Sequence, residues 1–327
     1  MKTIALFNNK GGVGKTTLTY HLAHMLARLG YPTVAVDLDP QANLTSAFFE
    51  EDRLEDLWEG GSDTILSCVN PILEGTGDIR KPAVLDVAEN LWAIAGDLGL
   101  SRFEDKLSDS WPKGYQDDPA ALRTTSAFHR IIGQGSRAVG ATVVVVDVGP
   151  NLGAINRAAL LAADFLVIPL AADLFSLQGV KNLGPTVRTW RKQWKVVRGL
   201  VKTDIALPGG DMRPAGYVVL QHAVRLDRPV RAYGRWLQRI PAVYREAVLG
   251  EKPGKKSKVD DTEHCLATLR NFRSLMPMAQ DARKPMFDLR PADGAIGSHA
   301  YLVATCENDF RRLAKRIVDE CGVEQPT

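Results

Sequence analysis

Ten residues near the start of the chain, NNKGGVGKTT at 8–17, restrict the fold more than any other stretch. They follow an apolar run, TIALF at 3–7, and precede Leu18, Leu22, Met25, Leu26 and Leu29, which share one face of a helix that Gly30 stops. A strand, a glycine-rich turn and a helix in that order present backbone N–H groups and the positive end of a helix dipole to an anion. Gly11, Gly12 and Gly14 permit a tight wrap that a Cβ would obstruct. Lys15 is placed to reach β- and γ-phosphates, the Thr16 hydroxyl to hold Mg2+, and Val13 and Thr17 to complete the nucleotide loop. One departure stands out. The strict pattern G-x-x-x-x-G-K-[ST] puts its first glycine at position 9, where this chain has Asn9, and the next residue is a second cation, Lys10. The dinucleotide fingerprint fits less well, because Thr17 stands where a third small residue is needed.

Short β-rich runs alternate with helical patterns along the rest of the chain, which predicts an α/β fold with a mostly parallel twisted sheet and helices on both faces. The expected strands are 3–8, 33–37, 91–95, 143–147, 165–169, 216–221 and 301–305, and the first helix runs from near Lys15 to about Leu29. With 327 residues, 45% of them apolar, residues 1–327 can form one large domain. Residues 50–85 and 250–265 look like insertions or loops, the second containing GEKPGKKSK at 250–258.

Four cysteines (Cys68, Cys265, Cys306, Cys321) without any C-x-x-C spacing argue against a zinc site or a disulfide framework, and for a reduced cytosolic compartment. Lys2 leads straight into the first strand, so no signal peptide is expected. The most apolar segment, 158–175, is broken by Asp164, Pro169 and Asp173 and is not expected to span a membrane.

Two further runs end in carboxylates. TVAVDLDPQANLT at 33–45 closes a strand with Asp37 and Asp39, and ATVVVVDVGPNLG at 141–153 closes a buried one with Asp147, placed as a Walker B carboxylate would be, near Mg2+. A lone strand-end Asp is often a cap or turn former. Three of them on two runs beside a phosphate loop favour nucleotide chemistry.

At these residues the chain resembles the deviant Walker-A ATPases of the ParA/Soj/MinD group, most of all the ParA partition ATPases. KGGVGKTT, VDLDPQANLT, VVVVDVGPNLG and VIPLAADLFSLQG carry the resemblance, which extends into 89–108 and 274–310. It implies a P-loop NTPase fold that binds ATP and Mg2+ and sandwiches two ATP molecules in a homodimer, with Lys10 reaching the partner's phosphates. It also implies that Asp39 orients the attacking water, that Asp37 supports the first switch and the metal, and that Asp147 holds the metal through water. Where the family has Pro-Pro, this chain has Gly149-Pro150, which predicts a looser second switch at Gly149, Pro150 and Asn151. Gln221 and the loop from Arg273 to Met276 stand where relatives contact the base. No upstream helix-turn-helix domain like that of the larger plasmid relatives is expected.

Charge is distributed unevenly. Residues 174–245 hold fourteen Lys and Arg against three acids, although the chain as a whole is only +3. Within that segment Arg188, Arg191, Lys192 and Lys195 line one side of a helix at 177–195, where Pro185 is expected to kink the start, and Val187, Trp190 and Trp194 take the neighbouring face. A second helix at 228–240, with Asp227 as its cap and Pro241 at its end, aligns Arg228, Arg231, Arg235 and Arg239. One such stripe is usually a solvated face; two with few interleaved acids suggest a surface for the DNA backbone that weakens with salt. The ParA resemblance points the same way, since ATP-bound relatives bind DNA without sequence preference.

A MinD-like membrane anchor would be a terminal basic amphipathic helix. The helix at 308–321 is followed by GVEQPT and reads as core packing instead, so no membrane partner is expected. Iron–sulfur relatives need paired cysteines and anion-pump relatives two phosphate loops; neither pattern is present in the sequence. The expectation is a cytoplasmic, nucleoid-associated ATPase that dimerises on ATP, grips DNA and is released by slow hydrolysis stimulated by a ParB-like partner. The alternative is an ATP-gated positioning protein for a protein cargo or a MinD-like partner.

Overall fold

The computed structural model describes residues 1–221, 230–252, 262–272 and 274–325. Among these, eight strands form one sheet: β1 (Lys2–Leu6), β2 (Thr33–Asp37), β3 (Leu85–Ala88), β4 (Leu91–Ile94), β5 (Val143–Asp147), β6 (Phe165–Ala171), β7 (Arg213–Leu220) and β8 (Cys265–Leu269). Their spatial order is β3-β4-β2-β5-β1-β6-β7-β8, and only the β3–β4 edge pair is antiparallel. Strand β1 lies between β5 and β6, while the next strand in sequence, β2, lies beyond β5. The chain thus leaves β1 in one direction and later builds outward in the other, and the open crevice at such a reversal is where α/β sheets bind ligands.

Alternate side chains of the central strands serve two cores. Ile4, Leu6, Ala35, Val143, Val145 and Val167 enter one layer, and Ala5, Val34, Val36, Val144, Val146 and Ile168 the other. This period of two explains why these runs are apolar throughout rather than alternating with polar residues. The first layer is covered by α1 (Lys15–Arg28) and by the C-terminal helix Ser298–Cys321. Between them in sequence come α2 (Asn43–Phe48), α3 (Glu51–Gly60), α4 (Ile65–Glu74), α5 (Phe103–Lys113), α6 (Pro119–Thr125), α7 (Ala127–Ala138), α8 (Ala154–Leu161), α9 (Leu174–Leu200), α10 (Val230–Leu237), α11 (Ile240–Val243) and α12 (Leu275–Asp281). The C-terminal helix is α13. Helices α4, α5, α7, α8 and α9 cover the second layer. No helix among the described residues is long and apolar enough to cross a membrane.

Several expectations need correction. Residues 301–305 are not a strand but lie inside α13, where Cys306, Phe310, Leu313, Ile317 and Val318 bury at helical spacing and Tyr301 is 72% exposed. A five-residue apolar run fits either period, and the longer pattern decides. The last strand is instead CLATL at 265–269. Residues 50–85 are not a loop: α3 and α4 lie there, and Leu54, Leu57, Ile65, Cys68 and Val69 are buried. Pro241 does not end a helix at 240. Helix α10 stops at Leu237, and Pro241 sits in the first turn of α11, where a missing N–H costs no intrahelical bond. Helix α9 begins at Leu174, runs on both sides of Pro185 and is capped by Asp173, whose carboxylate accepts from Ser176 N at 2.8 Å. Asp227, most of 250–258 and Arg273 lie outside the described residues.

One buried ring helps to fasten the C-terminal third to α1, beside the pairing of Arg28 with Asp288. The backbone N–H of Met286 donates to His21 Nε2 at 3.0 Å, so the ring proton is on Nδ1, which donates to the Thr17 carbonyl at 2.7 Å. Burial lowers the His21 pKa from 6.5 to about 4, the Thr17 bond opposing only in part. As pH falls from about 6.5 to about 4, the unfolded chain takes up a proton that the native ring refuses. The stability His21 provides is therefore complete above that window and lost across it, on the order of 3 kcal/mol. Denaturant titrations at pH 7 and pH 4.5 should show a smaller pH-dependent loss for His21→Gln than for the natural chain; equal losses would refute a ring held neutral in the native state.

Candidate functional site

The loop after β1 is pinned before it reaches its glycines. Asn8 is fully buried, donates through Nδ2 to the Pro169 carbonyl at 2.7 Å, and accepts the Lys10 N–H at 3.0 Å. Asn9 packs beside it against Gly179 of α9, where a Cβ would fall 2.7 Å from Asn9 Oδ1. Asn8 therefore fastens the loop to β6, while Asn9, the residue that replaces the leading glycine, packs against α9 with its buried Oδ1 unpartnered. Gly12 and Gly14 adopt φ of 70° and 84°, which side-chain-bearing residues rarely reach, and Gly14 starts α1 with its backbone alone. Lys15 is buried, and burial lowers its pKa, opposed by the charges of Asp147 and Asp39.

The three expected carboxylates converge here because β2 and β5 end in register, Asp37 beside Asp147. Thr16 Oγ1 donates to Asp147 Oδ2 at 2.6 Å, and Thr19 Oγ1 lies 3.4 Å from Oδ1. Asp37 accepts the N–H and the hydroxyl of Thr45, both at 2.8 Å, and the Asp39 N–H at 3.2 Å. Asp39 is 7% exposed and accepts the Gln41 N–H at 3.0 Å. Burial pushes both the Asp37 and Asp147 carboxyls well above the usual range, and the Asp37 charge adds to the rise at Asp147. A crowded acid set held back by one lysine and three hydroxyls calls for a hard cation. Among the described residues no three acid, His or Cys side chains form a ready-made cage. That fits Mg2+, which keeps most of its ligands from phosphate and water. Thr16 and Asp147 are the residues that would hold it, with Asp37 behind them.

The signature lysine is not free. Lys10 Nζ pairs with Asp173 at 2.6 Å and lies 3.5 Å from Ser176 Oγ. Asp173 thus caps α9 and holds Lys10 at once, a role that no local pattern in the sequence marks. Gln221 directly follows β7, its N–H donating to the Leu269 carbonyl at 2.9 Å. The hollow beyond Thr17 is lined by Val13, Gly14, Leu220, Asn271, Phe272 and Met276 rather than by the Gln221 side chain.

The basic stripes divide. Arg188 and Arg191 turn inward: Arg188 Nη1 donates to the Ala247 carbonyl and Arg191 Nη2 to the Met212 carbonyl, which ties α9 to its neighbours. Lys192 and Lys195 are exposed on α9, and Arg235 and Arg239 on and just after α10. The Arg239 guanidinium lies 5.1 Å from the Trp236 ring. Arg228 and the Arg231 side chain lie outside the described residues. Trp190 and Trp194 belong to the core.

A loop of this kind, at the reversal point of a mostly parallel sheet, defines a P-loop nucleotide-binding protein with an added lysine. The family described as AAA domain (AAA_31) has a sequence model that matches residues 1–198, well over half of the chain. The Bacillus subtilis sporulation initiation inhibitor protein Soj is 30% identical over 208 residues, 64% of this chain and 70% of that protein. The Thermus thermophilus chromosome-partitioning ATPase Soj is 32% identical over 193 residues, 58% of this chain and 63% of that one. The chain therefore belongs to the AAA_31 family, as a ParA/Soj-type ATPase of the ParA/MinD group. Solved structures share the fold. A Corynebacterium diphtheriae protein superposes with a TM-score of 0.69 at 24% identity over 98% of both chains. The ATP complex of a Cyanothece McdA variant gives 0.65 at 17% identity over 99% of this chain and 98% of its own.

The Thr45 hydroxyl stands between two elements of the site, donating to Asp37 while accepting the Gly96 N–H at 2.7 Å. Thr45→Val keeps the shape but leaves that buried N–H without an acceptor. It should cost roughly 1–3 kcal/mol in a denaturant titration, with Thr45→Ser losing far less.

Proposed function

We propose that this chain is a partition or positioning ATPase that dimerises on ATP, binds DNA without sequence preference in that state, and lets go on hydrolysis. The observation that carries the reading is a second loop lysine beside a complete phosphate site with three converging carboxylates. Backbone N–H groups of residues 11–17 and the Lys15 ammonium bind the triphosphate, and Thr16 and Asp147 would hold Mg2+. Bound there, it would supply neutralisation of the charge developing on the phosphate. Asp39, at the rim of the buried acids, orients the attacking water and receives its proton toward the second switch. Lys10 exchanges Asp173 for the partner subunit's phosphates, so that closure of the dimer supplies the cation that hydrolysis requires.

In the ATP dimer the exposed cations Lys192, Lys195, Arg235 and Arg239 of two subunits form the DNA surface. A ParB-like partner accelerates turnover, and the protein works in the cytoplasm on the nucleoid. A second reading, a protein cargo, is favoured by one observation: Val196 and Leu200 are 52% and 56% exposed on the same helix as those lysines. The two readings separate on DNA.

Binding to random-sequence duplex should be tight with ATP, weak with ADP or no nucleotide, and should fall steeply with salt, and Lys10→Ala should abolish the ATP dependence. Absent or nucleotide-independent binding would refute the DNA switch and leave the protein cargo. Lys15→Ala should lose ATP binding. Asp39→Ala should bind ATP and stay on DNA with hydrolysis down by about 100-fold or more, measured as phosphate release.

A further inference from the structure

Helix α8 begins immediately after the turn at 149–153, and its N-terminus is finished by a residue from another helix. Its cap position is Gly153, with no side chain to accept the first N–H groups. They go instead to Glu104 on α5: Ala154 N donates to Oε1 at 2.5 Å and Ile155 N to Oε2 at 2.9 Å. A Cβ at position 153 would lie 2.5 Å from Glu104 Oε1, so the glycine makes room for the carboxylate. A helix end ordinarily takes its acceptor from the cap residue itself. Borrowing it from fifty residues away ties the start of α8 to α5 as well as satisfying its donors.

The turn itself is fastened to that same helix end. Asn156, 1% exposed, donates through Nδ2 to the carbonyls of Gly149 and Asn151, at 2.9 and 2.7 Å, and to Asn151 Oδ1 at 2.9 Å. Gly149 lies against the candidate water-orienting group, since a Cβ there would be 3.3 Å from Asp39 Oδ1. Where α8 begins therefore fixes where the turn backbone meets Asp39. Helix α5 also meets the basic helix. Arg157 of α8 stacks on Trp111 of α5 at 4.3 Å, and Trp111 stacks on Trp194 of α9 at 6.0 Å between centroids.

We propose that Glu104 is a positioning residue for hydrolysis: its bidentate clamp on the N-terminus of α8 sets the 149–153 turn against Asp39 and references it to α5. This rests on the ATPase reading above and adds to it a residue that lies outside every nucleotide-binding motif of the chain. Both Glu104 oxygens are taken up by the α8 N-terminus, and it acts through the turn. Loosening the clamp misplaces the turn relative to a bound γ-phosphate, and an error of that kind falls on the chemical step more than on binding.

The test uses the full chain, its Glu104→Gln variant, and a Glu104→Ala/Gly153→Asp double variant that gives α8 a local cap without the tether. Steady-state ATP hydrolysis with Mg2+ and amide hydrogen exchange over 149–158 without nucleotide are measured for each. Glu104→Gln should lower kcat about tenfold or more with KM within about twofold, and should speed exchange in the turn. The double variant should recover protection at 154–156 but not kcat. Unchanged kcat in Glu104→Gln, or full recovery of kcat in the double variant, would overturn the tether. If the natural chain hydrolyses no ATP, the ATPase reading fails. The exchange data then decide the clamp alone, and unchanged protection in Glu104→Gln overturns it.

Discussion

Three carboxylates and one ammonium share a dry sheet edge, and their mutual balance governs the rest of the site. Parallel pairing of β2 with β5 leaves no choice about it: the register sets Asp37 beside Asp147, both essentially without solvent. Two buried anions at that spacing resist ionisation together, so each recruits donors. Asp37 takes the Thr45 hydroxyl and two backbone N–H groups, and Asp147 takes Thr16 and Thr19. Lys15 supplies the one full positive charge among them, at the expense of its own hydration. A site assembled this way is short of cations, a deficit that a nucleotide's divalent metal would relieve.

Much of this was legible before any coordinates. The phosphate loop, helix α1, the central strands and all three carboxylates follow from local composition, because strand ends and glycine turns are local features. Edge elements were less legible. The run at 301–305 has the composition of a strand and the context of a helix, and CLATL at 265–269 is too short and too near a polar loop to stand out. The partners of the site residues were not legible at all. Asp173 lies 163 positions from Lys10, and Glu104 lies 50 from Ala154. Such pairings arise from which strands become neighbours, which residue periodicity does not encode.

The departure at Asn9 and the stripe on α9 illustrate opposite errors of local reading. A missing glycine looks like a loss of freedom, yet the neighbouring Asn8 ties the loop to β6 and holds the Lys10 N–H while Asn9 packs against α9, so that Lys10 leaves the loop from a fixed base. The aligned arginines look like one solvent-facing surface, yet Arg188 and Arg191 spend their donors on backbone carbonyls. An arginine has enough length and enough N–H groups to satisfy an exposed-looking pattern while serving the interior. Lysine cannot do this as readily, and it is Lys192 and Lys195 that remain exposed.

The expected looseness of the second switch turns on a similar distinction. Replacing a proline by Gly149 frees one backbone dihedral, but the turn is not held by its own stiffness. Asn156 ties two of its carbonyls, and Glu104 fixes the helix that carries Asn156. What the glycine provides is clearance beside Asp39, where any side chain would press on the carboxylate. A turn restrained from outside and open toward Asp39 can shift as a unit without first melting. Under the proposed ATPase reading, the rigidity that chemistry needs and the mobility that a switch needs would then reside in different residues, the first in the clamp and the second in the turn.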